Sequence, residues 1–315
     1  MRAASHAFGA ASLLLAAYCP APLAAEAFVT DQPGEQVSVV DLDRMVAVAS
    51  IPVAGEPAGI AVSPDGTRAF VTSPEGKFVS VIDTAARQVI RQIALDGGPL
   101  GIAVHPAGQP VYVADWYARR LWVVDPRGQA PLRTVTVGTS PSGVAVTPDG
   151  KFVLTADRDD NAVSIVDTAS LERVAVVTVG TRPFGVTVDA AGRRAYTANV
   201  GSNDVSVIDL GTRQVAGTVK VGDRPYAVAL ARGRAFVTNQ YGGTVSVFDT
   251  QTLATLGRVP VGEYPEGIAA SRDGARVYVA NWFSNTLTAI DTGTMTVVGE
   301  VAVGDGPRAF GQFIR

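Results

Sequence analysis

Short runs of alternating apolar and polar positions, separated by turn residues, recur along nearly the whole chain. Gly59-Ile60-Ala61-Val62, Ala69-Phe70-Val71-Thr72 and Val79-Ser80-Val81-Ile82-Asp83 form one succession, with Pro64-Asp65-Gly66 between the first two runs. A period of two, β-branched residues and Pro-Asp-Gly punctuation predict strands joined by tight turns. No stretch carries the long helical period that parallel βαβ units need.

The succession then repeats. GIAVSPDGTRAFVTS (59–73) returns as GIAVHPAGQPVYVAD (101–115), GVAVTPDGKFVLTAD (143–157), GVTVDAAGRRAYTAN (185–199) and GIAASRDGARVYVAN (267–281). Pro57, Pro99, Pro141, Pro183, Pro225, Pro265 and Pro307 stand 42 residues apart, with one interval of 40. Asp41, Asp83, Asp125, Asp167, Asp209, Asp249 and Asp291 keep the same rhythm. The short interval falls at AVALARGRAFVTN (227–239), where a turn has lost two residues. A period that absorbs a deletion inside a turn marks a structural unit. Four strands in about 40 residues is the arithmetic of a propeller blade.

The GIAV-type strand is small and apolar, as an innermost strand crowded around an axis requires. The chain ends set the blade count. Residues 28–54 hold a second, third and fourth strand but no first, whereas residues 305–315 hold Pro307 and a first strand, Ala309 to Ile314. The expected fold is therefore an all-β, seven-bladed β-propeller with four antiparallel strands per blade. The N- and C-terminal strands share one blade, which leaves no open edge at the seam.

The boxes Tyr196-Thr197-Ala198-Asn199, Phe236-Val237-Thr238-Asn239 and Tyr278-Val279-Ala280-Asn281, each followed by a VSVID-type strand, resemble the YVTN-type β-propeller repeat. The resemblance covers essentially all of residues 26–315, read as a single domain. It implies the fold and leaves function open, because that family includes surface-layer, periplasmic and dehydrogenase-associated proteins.

Residues 1–25 have another character. Arg2, an apolar run from Ala7 to Ala17 and then Leu23-Ala24-Ala25 follow the layout of a signal peptide, cleaved after Ala25 or Ala27. The expected location is the periplasm or the exterior. Cys19, the only cysteine, lies in this segment behind Tyr18, not behind the small residue a lipoprotein signal wants. The mature chain would then have no disulfide, so packing and topology must hold it. No membrane-spanning segment and a monomer are expected.

A net charge of −3 offers no general field for nucleic acid, which is not an expected partner. The chain has two histidines, His6 and His105, and His105 reads as a surface turn residue. Zinc or copper ligand sets and Ser-His-Asp or Cys-His engines lack their members. Calcium held by oxygen ligands stays open. No cofactor, metal site or catalytic residue is assigned. The periodic aspartates, and Asn199, Asn239 and Asn281, are read as side chains closing turns onto backbone N–H groups.

Function in a repeat protein is expected where symmetry breaks. The loop entering each first strand and the loop joining the second and third strands should share one face, at the mouth of the central channel. Around the periodic proline, Arg182, Phe184, Arg224, Tyr226, Tyr264, Glu266 and Arg308 replace small residues of other blades. The second-to-third loops add Trp116, Tyr117, Tyr241, Trp282 and Phe283. Aromatic and arginine side chains are enriched at binding surfaces, but the same set can plug the channel or pack between blades. The arginines suit an anionic group, or pair with Asp223, Glu263, Glu266 and Asp305. The leading expectation is a non-catalytic exported propeller that binds a partner protein or small ligand at this mouth. The alternatives are an accessory protein of a periplasmic quinone-dependent dehydrogenase, which the resemblance permits, and a lactonase- or lyase-type enzyme resting on Glu266.

Overall fold

A computed structural model describes residues 25–315, so Cys19 and nearly all of the signal-like segment lie outside the described residues. Seven blades surround a central channel. Blade 2 runs Gly59–Val62, Arg68–Ser73, Phe78–Asp83, Gln88–Ala94, and blades 3 to 7 repeat that order from Pro99, Pro141, Pro183, Pro225 and Pro265. Neighbouring strands within each blade pair antiparallel, in sequence order. One three-residue 3₁₀ turn, Arg158–Asp160, is the helix among the described residues. No helix there is long and apolar enough to cross a membrane.

Blade 1 is composite. Its outer strands are Glu26–Asp31, Gln36–Asp41 and Val46–Pro52, and its inner strand comes from the C-terminus. Arg308 N–H donates to the Thr30 carbonyl (2.7 Å), Phe28 N–H to that of Phe313 (2.8 Å) and Arg315 N–H to that of Glu26 (3.0 Å). The same segment also pairs parallel with blade 2, Phe310 opposite Gly59 and Gln312 opposite Ala61. Phe313 and Ile314 pack into the cluster that holds Ala27, Phe28 and Val29. The Glu26 carboxylate receives Arg87 (2.7 Å) and Arg315 (2.6 Å). The last strand is thus stitched to both of its neighbours.

The repeated residues have geometric reasons. A Cβ at Gly59, Gly101, Gly143, Gly185 or Gly267 would collide with a backbone carbonyl of the next blade. The first glycine of GIAV is therefore a matter of close approach between inner strands. All seven periodic aspartates accept backbone N–H bonds from the turn that follows; the Asp249 carboxylate, for example, receives Gln251 (2.9 Å) and Thr252 (2.7 Å). These bonds hold Asp83, Asp125, Asp167, Asp209, Asp249 and Asp291 below the usual carboxylate range.

The periodic proline sits opposite the last residue of the second strand, as in Pro183 opposite Asn199, and the ladder then slips before Val186. The same slip occurs in blades 3, 4, 6 and 7. A bulge re-aims a side chain. Here it accompanies a post-proline residue, Leu100, Ser142, Phe184, Tyr226 or Glu266, that is buried at the top of the channel.

Candidate functional site

The two loop sets do share a face. In blades 3 to 7 the residue before the proline accepts an N–H bond from the start of the second-to-third loop: Trp116 to Gly98, Arg158 to Ser140, Val200 to Arg182, Gln240 to Arg224 and Trp282 to Tyr264. Ser140, Arg182, Arg224 and Tyr264 adopt positive φ of 51–57° to make this turn. The position before the proline therefore faces outward at the rim, and the position after it turns inward.

Inward, the channel is closed. The Phe184 and Tyr226 rings lie 4.2 Å apart, and Phe310 sits 5.1 and 5.4 Å from them. Trp116, half-buried, reaches Phe184 at 5.9 Å, and Leu100 and Ala58 complete the plug. A polar layer covers it. Arg308 donates through Nη2 to the Tyr226 hydroxyl (2.6 Å) and through Nη1 to Gln32 (2.8 Å), with Nε 3.1 Å from Glu266 Oε2. Glu266 Oε1 accepts from Gln240 Nε2 (2.7 Å), whose own oxygen accepts from Arg224 Nε (2.7 Å). Glu266 is 5% exposed. Burial pushes its carboxyl up, against the opposing pull of Arg308. Burial likewise raises the Tyr226 phenol, so it stays neutral and accepts from the guanidinium.

Outward lies an aromatic rim. Tyr241 and Phe283 are 61% and 64% exposed. Tyr264 stands between them, 5.8 Å from one ring and 5.0 Å from the other. The Arg224 guanidinium lies 4.9 Å from the centre of the Tyr241 ring and donates to its hydroxyl at 3.1 Å. Glu263 borders the same shallow hollow. Half-buried Trp282 stacks over Arg308 at 5.8 Å. Tyr117, 75% exposed, and exposed Arg182 stand elsewhere on the rim.

The expected residues thus divide. Phe184, Tyr226 and Glu266 are buried in the plug and its cover, while Arg308, Trp116 and Trp282 bridge cover and rim. Tyr117, Arg182, Arg224, Tyr241, Tyr264 and Phe283 form the rim itself. Sequence reading missed Phe310, which lies two residues past the position compared between blades. It also missed Gln32, which ties Arg308 to the N-terminal part of blade 1, and Gln240, which carries the polar network from blade 6 to blade 7. Arg158, 5.5 Å over the Trp116 ring, was missed as well.

Beneath the rim runs a belt of buried polar side chains at the ends of the second strands: Asp31, Ser73, Asp115, Asp157, Asn199, Asn239 and Asn281. Asn239 accepts from Gly222 N–H (2.9 Å) and donates to Thr244 and Ser246. The expected turn closure by asparagine therefore takes the form of a cross-strand tie. Asp115 has Arg120 at 2.7 Å. Asp31 and Asp157 have hydroxyl or amide partners but no cation, and burial pushes each carboxyl up to about 6. Among the described residues no three His, Cys, Asp or Glu side chains are grouped to hold a metal.

Below the plug the channel opens the other way. A cavity of about 740 Å³ is walled by the inner strands, including Ala103, Ala145, Val146 and Ala229. It ends upward at Phe310 and reaches Pro64, Pro106, Ala190 and Arg232 in the first-to-second turns. The roomy end of the channel is therefore on the face opposite the aromatic rim.

Two solved structures share the architecture. Kuenenia stuttgartiensis hydrazine synthase is 21% identical with a TM-score of 0.73, over 81% of this chain and 89% of that one. A functionally unknown protein from Desulfotomaculum acetoxidans DSM 771 is 17% identical with a TM-score of 0.78, over 90% and 98%. At these identities the likeness concerns the fold alone. No curated protein matches the sequence significantly. The model of the YNCE-like beta-propeller matches residues 24–105 and 227–313, more than half of the chain, which therefore belongs to the YNCE-like β-propeller family.

Proposed function

We propose that this protein is an exported, non-catalytic propeller that binds a partner protein through the aromatic rim of blades 6 and 7. The observation that carries this reading is the contiguous trio Tyr241, Tyr264 and Phe283, two of its rings more than half exposed. Burying exposed aromatic rings is what gives interface anchors their energy. A polypeptide suits this face better than a small molecule, because the plug leaves it a shallow relief and not a deep pocket. Export rests on the signal-like layout of residues 1–25, and the YVTN-type reading of the second-strand boxes is part of the same proposal. Against the enzymatic alternative stands the burial of Glu266 under Arg308 and Gln240, which leaves it without the open approach a general base needs.

The test compares the wild-type protein with Tyr241→Ser/Phe283→Ser in co-purification from the native periplasm, read by mass spectrometry. A partner held by the first and lost by the second, with unchanged thermal unfolding, is the expected result. A partner held equally by both would place the interface elsewhere.

A further inference from the structure

The 40-residue interval in the sequence has a structural counterpart that the rim does not use. In blade 2 the first and second strands are joined by Pro64-Asp65-Gly66-Thr67, between the bonded residues Ser63 and Arg68. In blade 6 the strands continue to Ala231 opposite Arg234, so that only Arg232 and Gly233 turn the chain. Both have positive φ, 48° and 74°, as a two-residue hairpin of this hand requires. This turn is two residues shorter than the one in blade 2, and both of its residues line the well. The cavity reaches sideways there, to Asp189, Ala190 and Tyr196 of blade 5 and to Arg234 and Thr250 of blade 6.

The well has the attributes of a ligand pocket. Its volume, about 740 Å³, falls within the roughly 300–1000 Å³ of small-molecule sites. Its walls are mostly Ala, Val, Ile and Gly, and its closed end is Phe310. The strand segment Gly143–Val146 lines it for four residues, or about 13 Å at about 3.3 Å per residue. Charge is confined to the lip. Arg234 is engaged by the Thr292 and Gly293 carbonyls, and the Asp189 carboxylate accepts from Arg193 N–H (2.8 Å). Arg232 is exposed and forms no ion pair within 4.0 Å among the described residues, although Asp273 and Asp291 lie close enough to feel its charge.

We propose that this well is a binding site for a small, mostly apolar molecule with a carboxylate head, its body inside the channel and its head at Arg232. Transfer of the apolar body out of water drives binding, and a charge-assisted bond to the guanidinium fixes its direction. The symmetric propeller needs no shortened turn to close. That turn occurs on the lining of the well, where it supplies a cation held by no ion pair among the described residues.

Titration calorimetry of the intact protein with dodecanoate and with dodecanol tests the assignment. Dodecanoate is expected to bind saturably at one site, about tenfold or more tighter than the alcohol, since a bond to a charged group contributes more than about 1.4 kcal/mol. Arg232→Ser should bring the acid down to the affinity of the alcohol. Ala145→Trp should abolish both, and if it disturbs thermal unfolding, Ala103→Leu/Ala145→Leu should weaken both. Absence of saturable dodecanoate binding, equal affinity of acid and alcohol, or binding that survives a filled well would overturn the proposal. None of these results bears on the rim, which lies on the other face.

Discussion

The two ends of the central channel are made from the same repeated strand and behave as opposites. At one end the residue after the periodic proline varies from Ala58 to Phe184 and Tyr226, and the large members meet Phe310 to close the axis. At the other end the inner strands carry mostly small residues, and the channel stays open as a well. The repeat sets the frame at both ends, and the variable post-proline position together with Phe310 decides which end is shut. Closure at the plug is also asymmetric. Its rings come from blades 5, 6 and 1, and blade 7 supplies Glu266 in place of a ring.

This contrast can be broken first at the plug. Phe184→Ala and Phe310→Ala each remove a buried ring and should each cost about 3–5 kcal/mol in chemical unfolding. The double variant should deepen the well toward the Arg308–Tyr226 cover without opening it through. An equivalent change on the open end, Val146→Ala, should cost about 0.5–1.5 kcal/mol, as a small aliphatic truncation does.

Next in size is the polar cover. Arg308→Met leaves Glu266 buried without its cation, and a loss of about 3–5 kcal/mol at pH 7 is expected. In that variant the Glu266 carboxyl binds protons more readily folded than unfolded. Stability should then be greatest in acid and fall as pH rises above the ordinary glutamate range, and Glu266→Gln should recover part of the loss.

The polar belt gives a smaller and opposite effect. Asp157 is pushed up to about 6 by burial without a cation, so its contribution is complete below pH about 4 and is lost as pH rises through about 6. Blades 5, 6 and 7 already carry asparagine at this position. Asp157→Asn should therefore stabilise the fold at pH 7.5 by about 1–2 kcal/mol and by nothing at pH 4, read from urea midpoints. Asp115→Asn, which would strip Arg120 of its buried partner, should not stabilise. The exposed turn aspartates act in the other direction, weakening the fold as pH falls below the usual carboxylate range. The smallest effect is at the rim, where Tyr241→Ser and Phe283→Ser should shift stability by no more than about 0.5 kcal/mol.

Much of this molecule can be read from one line of text. The 42-residue period, the Pro-Asp-Gly turns, the small GIAV strands and the split first blade determine seven blades closed through the C-terminus, because each feature is local and recurs. The turn role of Asp249 and its six counterparts was legible for the same reason: a short side chain two or three residues before a turn can reach only that turn's N–H groups. What tertiary structure alone decided is which side of each loop a residue faces. Arg224 and Tyr226 flank one proline, yet the first lies at the rim and the second is buried in the plug, because a positive φ before the proline and a bulge after it aim them apart. Phe310 and Gln240 acquire their roles from partners one or more blades away, and Gln32 acquires its role from Arg308 at the far end of the chain. A sequence period records what each blade does alone, whereas contact across the axis depends on seven blades arriving at one place.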